Sequence, residues 1–170
     1  MGAVTASYRA SANLTVTNLH SIATSSTWSA GWISGIIDNT SDLDLDKAVS
    51  AKFALGNGAT AGEIRMYAFA MLDDSNWPLL LSAGTAGTEG TATITTTTIR
   101  DATMSLLWAA ATRADPGTDD VYNMPPISLR GAFGGYLPPK VVLYASHSTG
   151  VNLAASGNQV TVKGYAESVA

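Results

Sequence analysis

His147 sits between Ser146 and Ser148 in the stretch "GGYLPPKVVLYASHSTG" (134–150). An imidazole beside a hydroxyl is the pairing a general base needs to activate a nucleophile. Adjacent residues on a strand point to opposite faces, however, and no carboxylate lies near in sequence to orient the ring. No G-x-S-x-G elbow occurs in the chain. The segment "SHSTG" therefore reads as the hairpin turn after a strand over 140–146, with His147 incidental to function. The chain has no cysteine, which removes disulfides, thiolate zinc sites and cysteine nucleophiles together.

A second candidate is "DLDLD" (42–46), whose alternate carboxylates suggest the opening of a calcium loop. Such a loop also needs Gly at its sixth place and Glu at its twelfth, and here those places hold Lys47 and Phe53. The carboxylates fit better on the solvent face of a strand, balanced by Lys47 and Lys52, where Asp44→Ala would cost little. No metal and no cofactor are expected. The threonines of 91–98 read as hydroxyls paired across an exposed strand face. "GNGATAG" (56–62) lacks the lysine of a phosphate loop and reads as a turn. Of the four tryptophans, Trp77 in "DDSNWPLL" is the best placed to stack on a sugar or anchor a protein contact. No enzymatic activity is expected.

These residues must be held by strands. In "DLDLDKAVSAKFAL" (42–55), Leu43, Leu45, Val49, Ala51, Phe53 and Leu55 share one parity, with Asp42, Asp44, Asp46, Ser50 and Lys52 on the other. That is period two, a long half-buried strand. "GEIRMYAFAML" (62–72) is apolar on both parities and predicts a central strand covered on both faces. "TATITTTTIR" (91–100) is almost wholly β-branched and predicts another. Further strands are expected at 13–19, 31–38, 127–133, 140–146 and 159–169. The segment 101–114 has helix-forming composition but is assigned to strand with its surroundings. Gly-, Pro- and Asx-rich turns separate them, including "ADPGTDD" (114–120). The result is an all-β chain of eight or nine strands, a two-sheet antiparallel β-sandwich. Residues 1–12 are expected as an N-terminal arm and 13–170 as a single domain.

Composition excludes several classes. Charged residues are 13% of the 170, about half the usual share. The net charge is −4 without any Lys/Arg cluster, so no phosphate-tracking nucleic-acid groove is expected. No apolar run reaches the roughly 20 residues a membrane span requires, and the N-terminus lacks a signal-peptide pattern. The expectation is a protein made in the cytoplasm, with no membrane partner.

The order "SGIIDNTSDLDLDKAVSAKFAL", "TAGEIRMYAFAMLDDSNW", then "PPISLRGAFGGYLPPKVVLYASHSTGVNLAASGNQVTVKGYAESV" resembles the small jelly-roll virion proteins of tailed bacteriophages. It is most similar to capsid cement (decoration) proteins, over residues 27–169. The resemblance implies a jelly-roll-like sandwich with no reaction of its own. It also implies a place on the capsid exterior of the virion, with the major capsid protein and further copies of itself, as dimer or trimer, for partners. Tyr8 and Arg9 of the arm, with Trp77, are the interface residues expected on that basis. The alternatives are a tail, baseplate or head-fibre component, or a carbohydrate-binding module.

Overall fold

The structure is a computed structural model and describes residues 4–73, 75–114 and 120–169. Most of the turn expected at "ADPGTDD" lies outside the described residues, as do residues 1–3 of the arm. The described elements run β1 (Val4–Tyr8), β2 (Ala12–Asn13), β3 (Ala30–Ile33), β4 (Ile37–Asp38), β5 (Asp46–Ala54), β6 (Gly62–Ala70), β7 (Leu81–Ala83) and β8 (Gly90–Ile94). They continue α1 (Thr97–Thr103), β9 (Ser105–Thr112), β10 (Val121–Ser128), α2 (Leu129–Ala132), β11 (Lys140–His147) and β12 (Gln159–Val169).

Two antiparallel sheets result. The first has the order β1-β12-β5-β10 with β2 also on β12, and the second β7-β8-β3-β11-β6-β9 with β4 also on β11. Apart from β2, β4, β7 and β8, the first strand pairs with the last, β3 with β11, β5 with β10 and β6 with β9. This is an antiparallel ribbon wound on itself, a jelly roll of eight principal strands. The expected sandwich is the observed one.

The two sheets pack through Val49, Phe53, Ile64, Met66, Leu143 and Val160, all at or near zero exposure. The second sheet is covered on its outer face as well. Tyr67 and Phe69 of β6 and Val142 and Tyr144 of β11 lie under Trp77, Leu80 and Ile99, supplied by the 71–104 excursion between β6 and β9. This is why 62–72 carries apolar residues at both parities.

Several expected elements take another form. The strand expected over 42–55 begins only at Asp46, and Leu43 and Leu45 are 73% and 39% exposed, not in the core. Leu43 has φ of 50°, and the Asn39 amide brackets Asp44, accepting its N–H at 2.9 Å and donating to its carbonyl at 3.0 Å. An alternating pattern thus runs through a turn. The strand expected over 91–100 stops at Ile94, and the next threonines start α1. The Thr96 hydroxyl caps the helix by accepting from Ile99 N–H at 3.2 Å. Its Arg100 is buried and donates to the carbonyls of Thr27 and Trp28. Tertiary anchoring overrides β-propensity there.

Within 127–133, Ser128 caps α2 in place of a continuing strand. In the 13–19 segment only Asn13 is in a strand, and 31–38 is split into β3 and β4. Of the residues expected as the arm, Val4 to Tyr8 form an edge of the first sheet, paired to Val169 to Tyr165. The 101–114 segment opens with the last three residues of α1 and is a strand over Ser105–Thr112, so the expected strand holds for that part.

Candidate functional site

The three expected interface residues are not brought together. Tyr8 ends β1 on the outer face of the first sheet, 71% exposed, with its ring 5.3 Å from that of Tyr165. Lys163 places its ammonium 5.3 Å from the Tyr8 ring. Trp77 lies over the outer face of the second sheet, half-buried and edge-on to Phe69 at 5.8 Å. The other tryptophans are also occupied: Trp32 is buried, Trp108 stacks on Phe53, and the Arg65 guanidinium covers Trp28 at 3.8 Å. Among the tyrosines, Tyr8 and Tyr136 present open rings.

Arg9 points back into its own chain. Its Nε is 2.5 Å from Asp44 Oδ1 and a terminal nitrogen donates to the Asp42 carbonyl at 2.6 Å. The hydrogen bond to Asp44 raises the Arg9 pKa above its ordinary value. Asp44, expected on the wet face, is 4% exposed, and Lys47 is 6% exposed. Lys47 Nζ lies 3.0 Å from Asp44 Oδ2, an ion pair without hydrogen-bond geometry, and 2.8 Å from Asp42 Oδ2. Gly164 of β12 makes room for this carboxylate, because a Cβ there would collide with Asp44 Oδ2. The cluster ties β1, the 39–44 turn, β5 and β12 into one corner. Asp44 and Lys47 are its buried centre, and Arg9 and Asp42 close it at the surface. Among the described residues no group of three or more His, Cys, Asp or Glu side chains could hold a metal ion.

His147 is the last residue of β11 and 1% exposed, rather than a residue of the following turn. Its Nε2–H donates to the Ile22 carbonyl at 3.1 Å, and Nδ1 accepts from the Thr149 hydroxyl at 2.9 Å. The carbonyl fixes the tautomer, and both nitrogens are engaged, Nε2 with the 22–25 segment and Nδ1 with Thr149 beyond the β11 end. The ring therefore latches the 22–25 segment through Nε2 and the turn after β11 through Nδ1. Burial depresses its pKa. On acidification the unfolded chain takes up this proton first, so the contribution is whole above about pH 6.5, the ordinary histidine value, and is lost as pH falls through the folded pKa. Thermal melts between neutral pH and about pH 5 should show Tm falling on the acid side, and His147→Gln should flatten that dependence. An unchanged pH profile in the variant would assign the titration to another group.

Besides a cleft of about 530 Å³ beside Tyr8, Asp46, Lys163 and Tyr165, two adjoining clefts lie at one end of the sandwich. The end of β6, residues 71–73 after it and the corner before β11 line a cleft of about 470 Å³, with Thr40, Met71, Leu72, Asp73, Tyr136 and Lys140 among its walls. Gly134 and Gly135, at φ of 72° and 96°, turn the chain out of α2, and Pro138 and Pro139 bring it back to β11. Tyr136 is thereby held outward at 63% exposure. A second cleft of about 430 Å³ opens on its other side, shares Thr40, Tyr136 and Pro139, and reaches Leu43. Leu43, Leu72 and Tyr136 thus form an exposed apolar rim, at 73%, 70% and 63% exposure. Sequence reasoning missed it, although the corner "GGYLPP" placed a large aromatic between turn residues.

The topology places the chain in the class of jelly-roll β-sandwiches. Neither a protein-family model nor a curated protein sequence matches it. No helix among the described residues is long and apolar enough to cross a membrane.

Proposed function

We propose that the protein is a virion structural protein of a tailed bacteriophage, a cement protein that docks on the outside of the head and clamps adjacent major-capsid subunits. The observation that carries this reading is the rim of Leu43, Leu72 and Tyr136 around two clefts at one end of a weakly charged jelly roll. Large apolar side chains standing exposed on turns are the type that anchor protein interfaces. The residue order that resembles cement proteins runs through the same three segments. The protein then acts by holding subunits together, without catalysing a reaction. A folded unit that touches several subunits must leave all of them before the lattice opens.

Heads assembled without the protein should fill with DNA but rupture at lower temperature, and added purified protein should restore the wild-type rupture temperature. Tyr136→Ala with Leu72→Ala should bind such heads about 30-fold more weakly or worse, as loss of a hot-spot aromatic predicts, with an unchanged melt of the free protein. Cryo-EM density for the chain in the tail alone would refute the assignment. A second reading, a carbohydrate-binding module, draws on the Tyr136 ring beside Asp73, Lys140 and Thr40. Saturable binding on a glycan array, abolished by Tyr136→Ala, would favour it.

A further inference from the structure

Among the described residues the jelly roll leaves four sheet edges, and three carry a feature that discourages pairing with another chain. β10 contains Pro125 and Pro126 and loses register between Met124 and Ile127. β7 is three residues long. On the outer side of β12, β1 and β2 are five and two residues long. β9 differs. Its eight residues, Ser-Leu-Leu-Trp-Ala-Ala-Ala-Thr, contain no proline, glycine or charge, and among the described strands it pairs with β6 alone. Its one irregularity skips Leu107, which leaves Trp108 to Thr112 as a regular run against Met66 to Gly62.

The side of the sandwich bounded by β9 and β10 is also incompletely covered. Leu107 and Trp108 of β9 and Tyr122 and Ile127 of β10 pack on the core yet stay partly exposed, and Leu106 is 52% exposed. We infer that β9 is a pairing edge for a second copy of this chain, the two strands meeting antiparallel about a two-fold axis at Ala110. In that register Ala109 faces the partner's Ala111 and Trp108 faces the partner's Thr112. The two second sheets become one continuous sheet, the free edge groups find ladder partners, and the half-covered Trp108 loses its exposed margin. A copy suits this edge because an uncharged run with only methyl groups at positions 109 and 111 opposes no like charges and no bulk when it meets itself. A charged strand from a different protein would find no counter-charge along β9. The association does not depend on the capsid reading.

Sedimentation velocity of the purified full chain should give twice the 17.5 kDa chain mass. Ala109 and Ala111 are exposed, so lysines there fit the monomer fold. Ala109→Lys/Ala111→Lys should weaken self-association more than ~100-fold, because the register sets lysine against lysine. Ala109→Glu/Ala111→Glu should do the same, and an equimolar mixture of the two variants should recover dimers. Circular dichroism melts check that each variant folds. If either does not, hydrogen exchange on the wild type decides, with amides of 108–112 expected to gain protection as protein concentration rises. A wild type that stays monomeric at micromolar concentrations, a lysine variant that stays dimeric, or concentration-independent exchange at 108–112 would each overturn the inference. None of these results bears on the head-binding test of Tyr136.

Discussion

Phe53→Ala is expected to destabilise the protein by about 3–5 kcal/mol, the range for truncating a fully buried aromatic. The ring has zero exposure, lies between the two sheets and stacks on Trp108 at 5.9 Å with planes 8° apart. Its loss removes the burial of the ring and leaves a void that neighbouring strands cannot close, because each is held in register on both sides of β5. Urea unfolding should show a lower midpoint with an unchanged slope. Leu43→Ala, at the same sequence parity but 73% exposed, should leave the midpoint nearly where it was. Equal effects at the two positions would mean that β5 is placed wrongly against the core.

Asp44→Ala should cost a comparable amount, about 3–5 kcal/mol, because removing one member of a buried pair strands the other. Lys47 would keep only the half-exposed Asp42, and Arg9 would lose the carboxylate that anchors the chain just beyond β1. Asp44→Asn separates charge from shape, since the Asn39 bonds reach the Asp44 backbone and survive either change. Gly164→Ala attacks the same corner from β12 by forcing the carboxylate aside. The double variant Asp44→Ala/Gly164→Ala should therefore be less destabilised than the sum of the singles. Full additivity in equilibrium melts would show that Gly164 and Asp44 act separately.

The elements most legible in the sequence are those whose pattern has a single physical cause. β6 and β11 are apolar on both parities because both faces of the second sheet are covered, and their extents follow closely. The strand register over Val49, Ala51 and Phe53 is likewise a matter of period two, and it holds. The misreadings arise where one pattern serves two structures. Asp42 to Asp46 alternates with leucines as a half-buried strand would, but Asn39 closes a turn there and turns Leu43 out. Threonine favours strands in the interior of a segment and caps helices at their start, so the run 95–98 could not be divided by composition alone.

The burial of Asp44 was illegible for a different reason. Its partner Arg9 is 35 positions away and Gly164 lies on the last strand, so only the completed first sheet creates the site. The Tyr136 rim is a similar product of assembly, because it joins the 39–44 turn, residues 71–73 and the corner before β11.

The pairing of Val4 to Tyr8 with the C-terminal strand sets a condition on biosynthesis. Of the described strands β1 leaves the ribosome first and β12 last, so the edge that β1 occupies does not exist until β12 has emerged. β5 waits for the same strand, since β12 is its neighbour on one side. The closure entropy of these longest loops is met only once β12 is present, which favours slow, late completion over growth strand by strand from β1. During that interval the uncharged β9 segment is already synthesised, and a nascent chain on a crowded polysome carries it beside its copies before the first sheet can form.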